Sequence, residues 1–185
     1  MAKFRAVLIS DIHFGRDVGN KKGAQAPALM EEFIKFANAA KPDVVIDLGD
    51  RISCHSEARD KEETKRLAPY FNRIAAPRLH LLGNHDIRFL KAEDSEKILG
   101  QKLNSRSVDI SGVQVVVWNP DVRYECGRVV EMPQKELDWL ENELKAKDAD
   151  DRRPVLLLTH MPLDFVGKSG QTVRNPNGDL VYKHF

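Results

Sequence analysis

Four short apolar runs in this chain each end in residues able to hold a metal: Ile9-Ser10-Asp11-Ile12-His13, Ile46-Asp47-Leu48-Gly49-Asp50, Leu81-Leu82-Gly83-Asn84-His85-Asp86 and Leu158-Thr159-His160. This coincidence constrains the fold more than any other feature. In open α/β sheets ligands bind beyond the carboxyl ends of the strands, so residues far apart in sequence meet there in one crevice. Taken singly, Asp-x-His or Gly-Asp after a strand is ordinary turn chemistry, and His160 alone reads equally well as a strand-end histidine. Gly83-Asn84-His85-Asp86 is harder to explain that way, because four residues with no apolar member directly follow Leu81-Leu82. Carboxylate and amide oxygens mixed with imidazole nitrogens suit Mn, Fe or Zn better than a soft thiolate site would.

The patterning between these runs supplies the fold class. Phe4 to Ser10 reads as a strand, Leu29, Phe33, Ile34 and Ala37 share a helical face that ends before Pro42, and Asp43 to Leu48 is a second buried strand. Leu67, Tyr70, Phe71 and Ile74 keep the spacing of a helix that stops before Pro77, and Arg78 to Leu82 is a third strand. Short apolar strands separated by crossover helices predict an α/β fold with a parallel sheet and helices on its faces. After a short helix near Asp94 to Leu99, Val108 to Ile110 and Val113 to Trp118 flank the hairpin turn Ser111-Gly112, so the middle of the chain turns antiparallel. Pro133 can open a helix without losing a needed N–H, Leu137, Leu140 and Leu144 form its stripe, and Val155 to Thr159 is the next strand. Gly167, Gly170, Asn175, Pro176, Asn177 and Gly178 then break all periodicity, which predicts an irregular loop over 162–179, a flap over the site.

Composition narrows the function classes. At 185 residues and 42% apolar content, one domain over 1–185 is expected. With 29 Lys and Arg against 28 Asp and Glu, the chain lacks the global basic field that would favour nucleic acid or a membrane surface as partner. Cys54 and Cys126 are too few for a disulfide framework, so a reducing compartment is expected. The apolar run Ala6-Val7-Leu8-Ile9 is too short for a signal segment or a membrane span, which points to the cytoplasm.

Taken together, the motifs resemble those of the calcineurin-like metallophosphoesterase family: Asp-x-His at Asp11 and His13, Gly-Asp at Gly49-Asp50, Gly-Asn-His-Asp at Gly83 to Asp86, and a lone His at His160. The resemblance implies two mixed sheets packed face to face with helices outside, a four-layer sandwich. It implies two divalent metal ions, with Mn2+ favoured over Fe, Zn or Mg. Asp11 and His13 would hold one metal, Asn84 and His160 the other, and Asp50 would bridge them. His85 would be the catalytic histidine near the leaving group, with Asp86 orienting its ring.

The chemistry of such a set stands on its own. Two metals about 3.5 to 4 Å apart clamp phosphate oxygens and lower the pKa of a bridging water, giving a hydroxide that attacks phosphorus in line. A carboxylate with two oxygens suits the bridging place of Asp50, and an imidazole such as His85 can protonate a departing oxygen near neutral pH. Asn84 offers a neutral oxygen, which limits the negative charge facing a phosphate, and Asp86 acts from behind. The expected activity is hydrolysis of a phosphate mono- or diester, with a small molecule or nucleotide as substrate. A nuclease of the same family and a noncatalytic interaction scaffold are the rivals, and the oligomeric state stays open.

Several other residues are read without catalytic roles. Arg51 and Arg88 follow motifs closely and are read as solvent-facing rather than as phosphate ligands. Cys54 and His55 lie near the second motif and receive no role. Trp118 and Trp139 are read as core, and His80 as structural.

One block of the family's pattern, Gly-His-x-His, is missing, and after His160 only His184 remains. In the family that block completes both ligand sets. The expectation is a chain truncated at its C-terminus and lacking C-terminal strands. The alternatives are a substitute ligand from His184 or a partner subunit, and loss of catalysis. Retention of Asp11, His13, Asp50, Asn84, His85 and His160 argues against a scaffold free of catalytic demand.

Overall fold

The computed structural model of the protein describes residues 3–120, 122–123, 129–145, 153–161 and 172–174. Strands β1 (Ala6–Ile9), β2 (Val44–Asp47) and β3 (Arg78–His80) form a parallel sheet in that order, joined by helices α1 (Ala26–Ala40) and α2 (Glu57–Asn72). Helix α3 (Ala92–Leu99) leads to the antiparallel hairpin of β4 (Arg106–Ile110) and β5 (Val113–Val117). Helix α4 (Gln134–Lys145) then leads to β7 (Val155–Leu158), which lies parallel to β5 and completes a second, mixed sheet.

Alternation along the strands builds the layers. On β2, Val44 and Ile46 pack with Leu79, Leu81, Val113, Val115, Val117 and Leu158 in a cluster between the sheets. Val45, pointing the other way, joins Met30, Ile34, Leu67 and Phe71 of α1 and α2. On the second sheet, Val116 and Trp118 turn away from the first and meet Leu137 and Leu140 of α4. Both sheets are thus covered on both faces, and the period-2 alternation of β2 and β5 sorts one strand's side chains into two cores. The result is the expected sandwich of two sheets with flanking helices.

Details depart from the sequence reading where tertiary packing decides. The buried stripe of α1 is Met30, Ile34 and Ala37, with Phe33 half-buried, whereas Leu29 is 63% exposed. Helix α2 accommodates Pro69 in its interior and ends at Asn72, short of Ile74. Two strands without a clear signal appear, β6 (Val129–Glu131) and β8 (Thr172–Arg174), paired parallel. The segment 162–179 was expected to be irregular, and β8 corrects that for three residues, while its other residues, and His184, lie outside the described residues. Among the described residues, no helix is long and apolar enough to cross a membrane.

Truncating Ile46, fully buried between the sheets, to Ala should cost about 2–5 kcal/mol in urea denaturation. Leu29→Ala, at an exposed position, should stay within about 0.5 kcal/mol of wild type.

Candidate metal centre

The carboxyl ends of β1, β2, β3 and β7 deliver their polar residues to one place. Beyond β1 and β2 the two chains continue side by side: Asp11 N donates to Gly49 O at 3.0 Å, His13 N to Asp50 O at 3.0 Å, and Phe14 N to Arg51 O at 2.8 Å. Asp11, His13 and Asp50 take left-handed backbone angles there, with φ of 54°, 47° and 55°. Non-glycine residues rarely adopt this region, at about 1–3 kcal/mol each, and such strain concentrates at functional sites.

Two glycines let the loops touch. Gly49 has φ 101°, and a Cβ there would lie 2.6 Å from Gly83 N and 3.0 Å from Nδ1 of His160. A Cβ on Gly83 would collide with Asp50 Oδ1 and the Asp50 amide. The glycines preceding Asp50 and Asn84 are therefore required by close packing of the two turns, beyond any general liking of turns for glycine.

A buried ionic network fixes these turns. The Arg51 side chain is 1% exposed, and its Nη1 donates to Asp47 Oδ2 and to the Leu81 carbonyl, each at 2.7 Å. Its Nη2 lies 3.1 Å from Asp86 Oδ2, an ion pair without the alignment of a hydrogen bond. Asp86 Oδ2 accepts from the amides of Asp50 at 2.9 Å and Gly83 at 2.8 Å, and Oδ1 from Arg51 N at 2.9 Å. The same Asp47 Oδ2 also lies 2.9 Å from His80 Nδ1. Burial opposes ionisation of Asp47, but the charge of Arg51 and the His80 hydrogen bond override it and hold the carboxyl at about 2.

Two sequence readings change here. Arg51 is neither solvent-facing nor available to a phosphate, because it lies inside the protein between two carboxylates. Asp86 clamps the backbone of the Gly49–Arg51 turn, and the His85 ring is oriented by other partners.

At the centre, the Asp50 carboxylate lies between two imidazoles. Nε2 of His160 is 3.6 Å from Oδ1, and Nε2 of His13 is 3.8 Å from Oδ2. Each ring turns its Nδ1 to a backbone carbonyl, His160 to Leu48 O at 2.7 Å and His13 to Ile52 O at 3.2 Å. A carbonyl only accepts, so Nδ1 carries a proton in both rings, and the tautomer this fixes for a neutral ring leaves the lone pair on the Nε2 that faces Asp50. That is the outer-shell arrangement usual for metal-binding histidines. Asp11 Oδ1 stands 3.6 Å from His13 Nε2 on the open side of the site. Asn84 is half-buried in the turn after β3, next to the His85 amide that donates to Asp50 Oδ1 at 2.9 Å. His13 and His160 thus present ring nitrogens to the two oxygens of Asp50.

His85 completes the cluster. Its ring meets that of His13 edge to face at 5.0 Å, its Nε2 is 3.9 Å from Asp50 Oδ2, and His13, Asp50 and His85 offer ligand atoms within 4.8 Å of one another. Lys21 Nζ lies 2.8 Å from Nε2, and Cys54 Sγ lies 3.0 Å from Nδ1. An ammonium only donates, so Nε2 accepts and Nδ1 donates to the sulfur. Cys54, itself left-handed at φ 36°, is thus a residue that orients this ring. Sequence reading marked its proximity to the motif and assigned it nothing, and it gave no notice of Lys21.

The titration of these groups follows from burial and neighbouring charge. Burial, then the negative charge of Asp86, raises Asp50 to about 6. Burial, then Lys21, lowers both His85, to about 4, and His13. Burial pushes the Cys54 thiol up, which keeps it protonated.

The family model of calcineurin-like phosphoesterases matches residues 4–182. No curated protein gives a significant sequence match. Among solved structures, a dimetal phosphatase from Danio rerio is similar with a TM-score of 0.67 and 13% identity, over 87% of this chain and 70% of that one. At that identity the likeness speaks to the fold.

Replacing Arg51 by Met should destabilise the protein by about 3–5 kcal/mol in chemical denaturation, because Asp47 and Asp86 would be left buried without their cation. The ionised Asp47 makes an acid dependence as well. Its carboxyl titrates lower in the folded protein than the ordinary 3.8, so its contribution is fully present above about pH 4 and is lost as pH falls toward 2. Urea midpoints measured between pH 5 and 2 should fall over that window, and less steeply in Asp47→Asn.

Proposed function

The chain belongs to the calcineurin-like phosphoesterase family, whose members hydrolyse phosphate esters with divalent metal ions, and on that footing we propose that Asp50 is the ligand shared by two cations in this protein. The observation that carries the reading is the Asp50 carboxylate with one oxygen facing Nε2 of His160 and the other facing Nε2 of His13. Asp11 and His13 would complete one side, Asn84 and His160 the other. When bound, the cations neutralise phosphate oxygens and supply a nucleophile from water.

The protein's own groups do the remainder. The carbonyls of Leu48 and Ile52 fix the tautomers that leave Nε2 free on His160 and His13. Asp86 holds the Asp50 backbone in its strained form through two consecutive amides. His85 projects Nε2 into the pocket, where an arriving phosphate anion raises the ring's affinity for a proton and readies it to protonate the leaving oxygen. We favour a small-molecule or nucleotide ester as substrate and Mn2+ as the metal. The near balance of 29 basic and 28 acidic residues favours this over a nuclease, which needs a basic track for the phosphate backbone.

Elemental analysis combined with turnover of bis-(p-nitrophenyl) phosphate in added Mn2+ tests the reading. Two metals per chain and turnover abolished by chelator are expected, whereas metal-free protein without turnover would favour a scaffold on the same fold. Asp50→Ala should lose both metal and turnover. His85→Ala should keep its metals and turn over about 10²–10⁴-fold more slowly, the usual range for a lost general acid. Metal loss in that variant would assign His85 to ligation instead, which its closeness to His13 and Asp50 makes a sharp alternative.

A further inference from the structure

Lys21 enters the centre from outside every motif block. Its ammonium lies 2.8 Å from Nε2 of His85, and the segment that carries it is tied down at several points. Val18 and Lys21 exchange both backbone hydrogen bonds at 3.0 Å, Gly15 N donates to Gly23 O at 3.3 Å, and Ala24 N donates to Asp17 Oδ1 at 3.1 Å. Lys21 is half-buried at the foot of this tight turn, so its side chain is directed inward rather than into solvent.

The contact is odd for a cation. The neighbour is an imidazole nitrogen rather than a carboxylate, and that ring packs edge to face on His13 at 5.0 Å. A positive charge fixed beside histidines of a site suited to metal cations opposes its surroundings until an anion arrives. Preorganised charge of this kind is worth most where negative charge is bound or develops, because no reorganisation is needed at that moment.

The geometry points to Lys21 as a further catalytic residue of this centre, whose ammonium, held beside His85 by the turn at 18–21, donates to a non-bridging phosphoryl oxygen of the substrate on the His85 side. This rests on the phosphoesterase reading of the centre and adds to it a ligand for the phosphate that is part of the protein itself. Lysine serves such a role as a compact point charge with rotatable donors.

The test uses Mn2+-loaded wild type, Lys21→Ala, Lys21→Met and Lys21→Arg. Each is titrated calorimetrically with inorganic phosphate, with metal content by elemental analysis and kcat and KM for p-nitrophenyl phosphate measured alongside. Lys21→Ala and Lys21→Met should keep wild-type metal content and melting temperature and bind phosphate about ten- to a hundredfold more weakly, the range of a charge-assisted hydrogen bond. Lys21→Arg should recover part of the loss. Unchanged phosphate affinity in Lys21→Ala would overturn the proposal. So would tighter metal binding with phosphate affinity intact, which would make Lys21 a competitor for the place of a cation. A wild type that takes up metal yet binds no phosphate would overturn the reading of the centre itself, and Lys21's role with it.

Discussion

A guanidinium buried between two carboxylates governs this site. Arg51 bridges Asp47, at the end of β2, to Asp86, in the turn after β3, and so joins two strand ends that carry the proposed metal ligands Asp50 and Asn84. Taking three charges out of water is costly, and the arrangement is tolerable only because each charge finds partners. Asp47 also faces His80, and Asp86 also receives three backbone amides. The network thus fixes the Gly49-Asp50-Arg51 backbone in a conformation that an ordinary turn would leave. Asp50 can lie between His13 and His160 because something behind it prevents relaxation.

Behind that network, the fold does conventional work. Both sheets are covered on both faces, so their strands are near-continuous apolar runs, and their polar ends stand out against them. This is why the succession of strands and helices, and the meeting of strand ends that carry Asp11, Asp50, Gly83 to Asp86 and His160, were legible from sequence. The role of Arg51 was not legible, since an arginine one residue past a motif looks the same whether it points outward or inward. Only the strand ends that come together in three dimensions reveal that Asp47 and Asp86 are both within its reach. Asp86 was misread for a related reason. Its place directly after His85 suggested that it orients that ring, whereas in a tight turn adjacent side chains point apart, and its carboxylate faces back to the amides of another loop. Leu29 of α1 shows the same limit at the level of packing, since an apolar residue on a helix is buried only if a neighbour is there to cover it.

Opposite charges meet at one ring of this centre. The ammonium of Lys21 lies 2.8 Å and the carboxylate of Asp50 3.9 Å from Nε2 of His85, while Cys54 Sγ lies 3.0 Å from its Nδ1. The Ser53 backbone holds the same ring as well, so its orientation does not rest on the weak hydrogen bonding of a thiol alone.

The left-handed backbone at Asp11 bears on how such a protein can be improved. Asp11 is exposed and held at φ 54°, a conformation that glycine adopts freely. A laboratory selection for heat resistance alone would therefore find glycine attractive at this position, and each such gain would remove a carboxylate from the centre. With Asp11 as the metal ligand proposed above, stability and catalysis compete at a single torsion angle, a common fate of strained functional residues. Thermostable descendants of this chain are best sought by screening for retained metal content as well as for melting temperature.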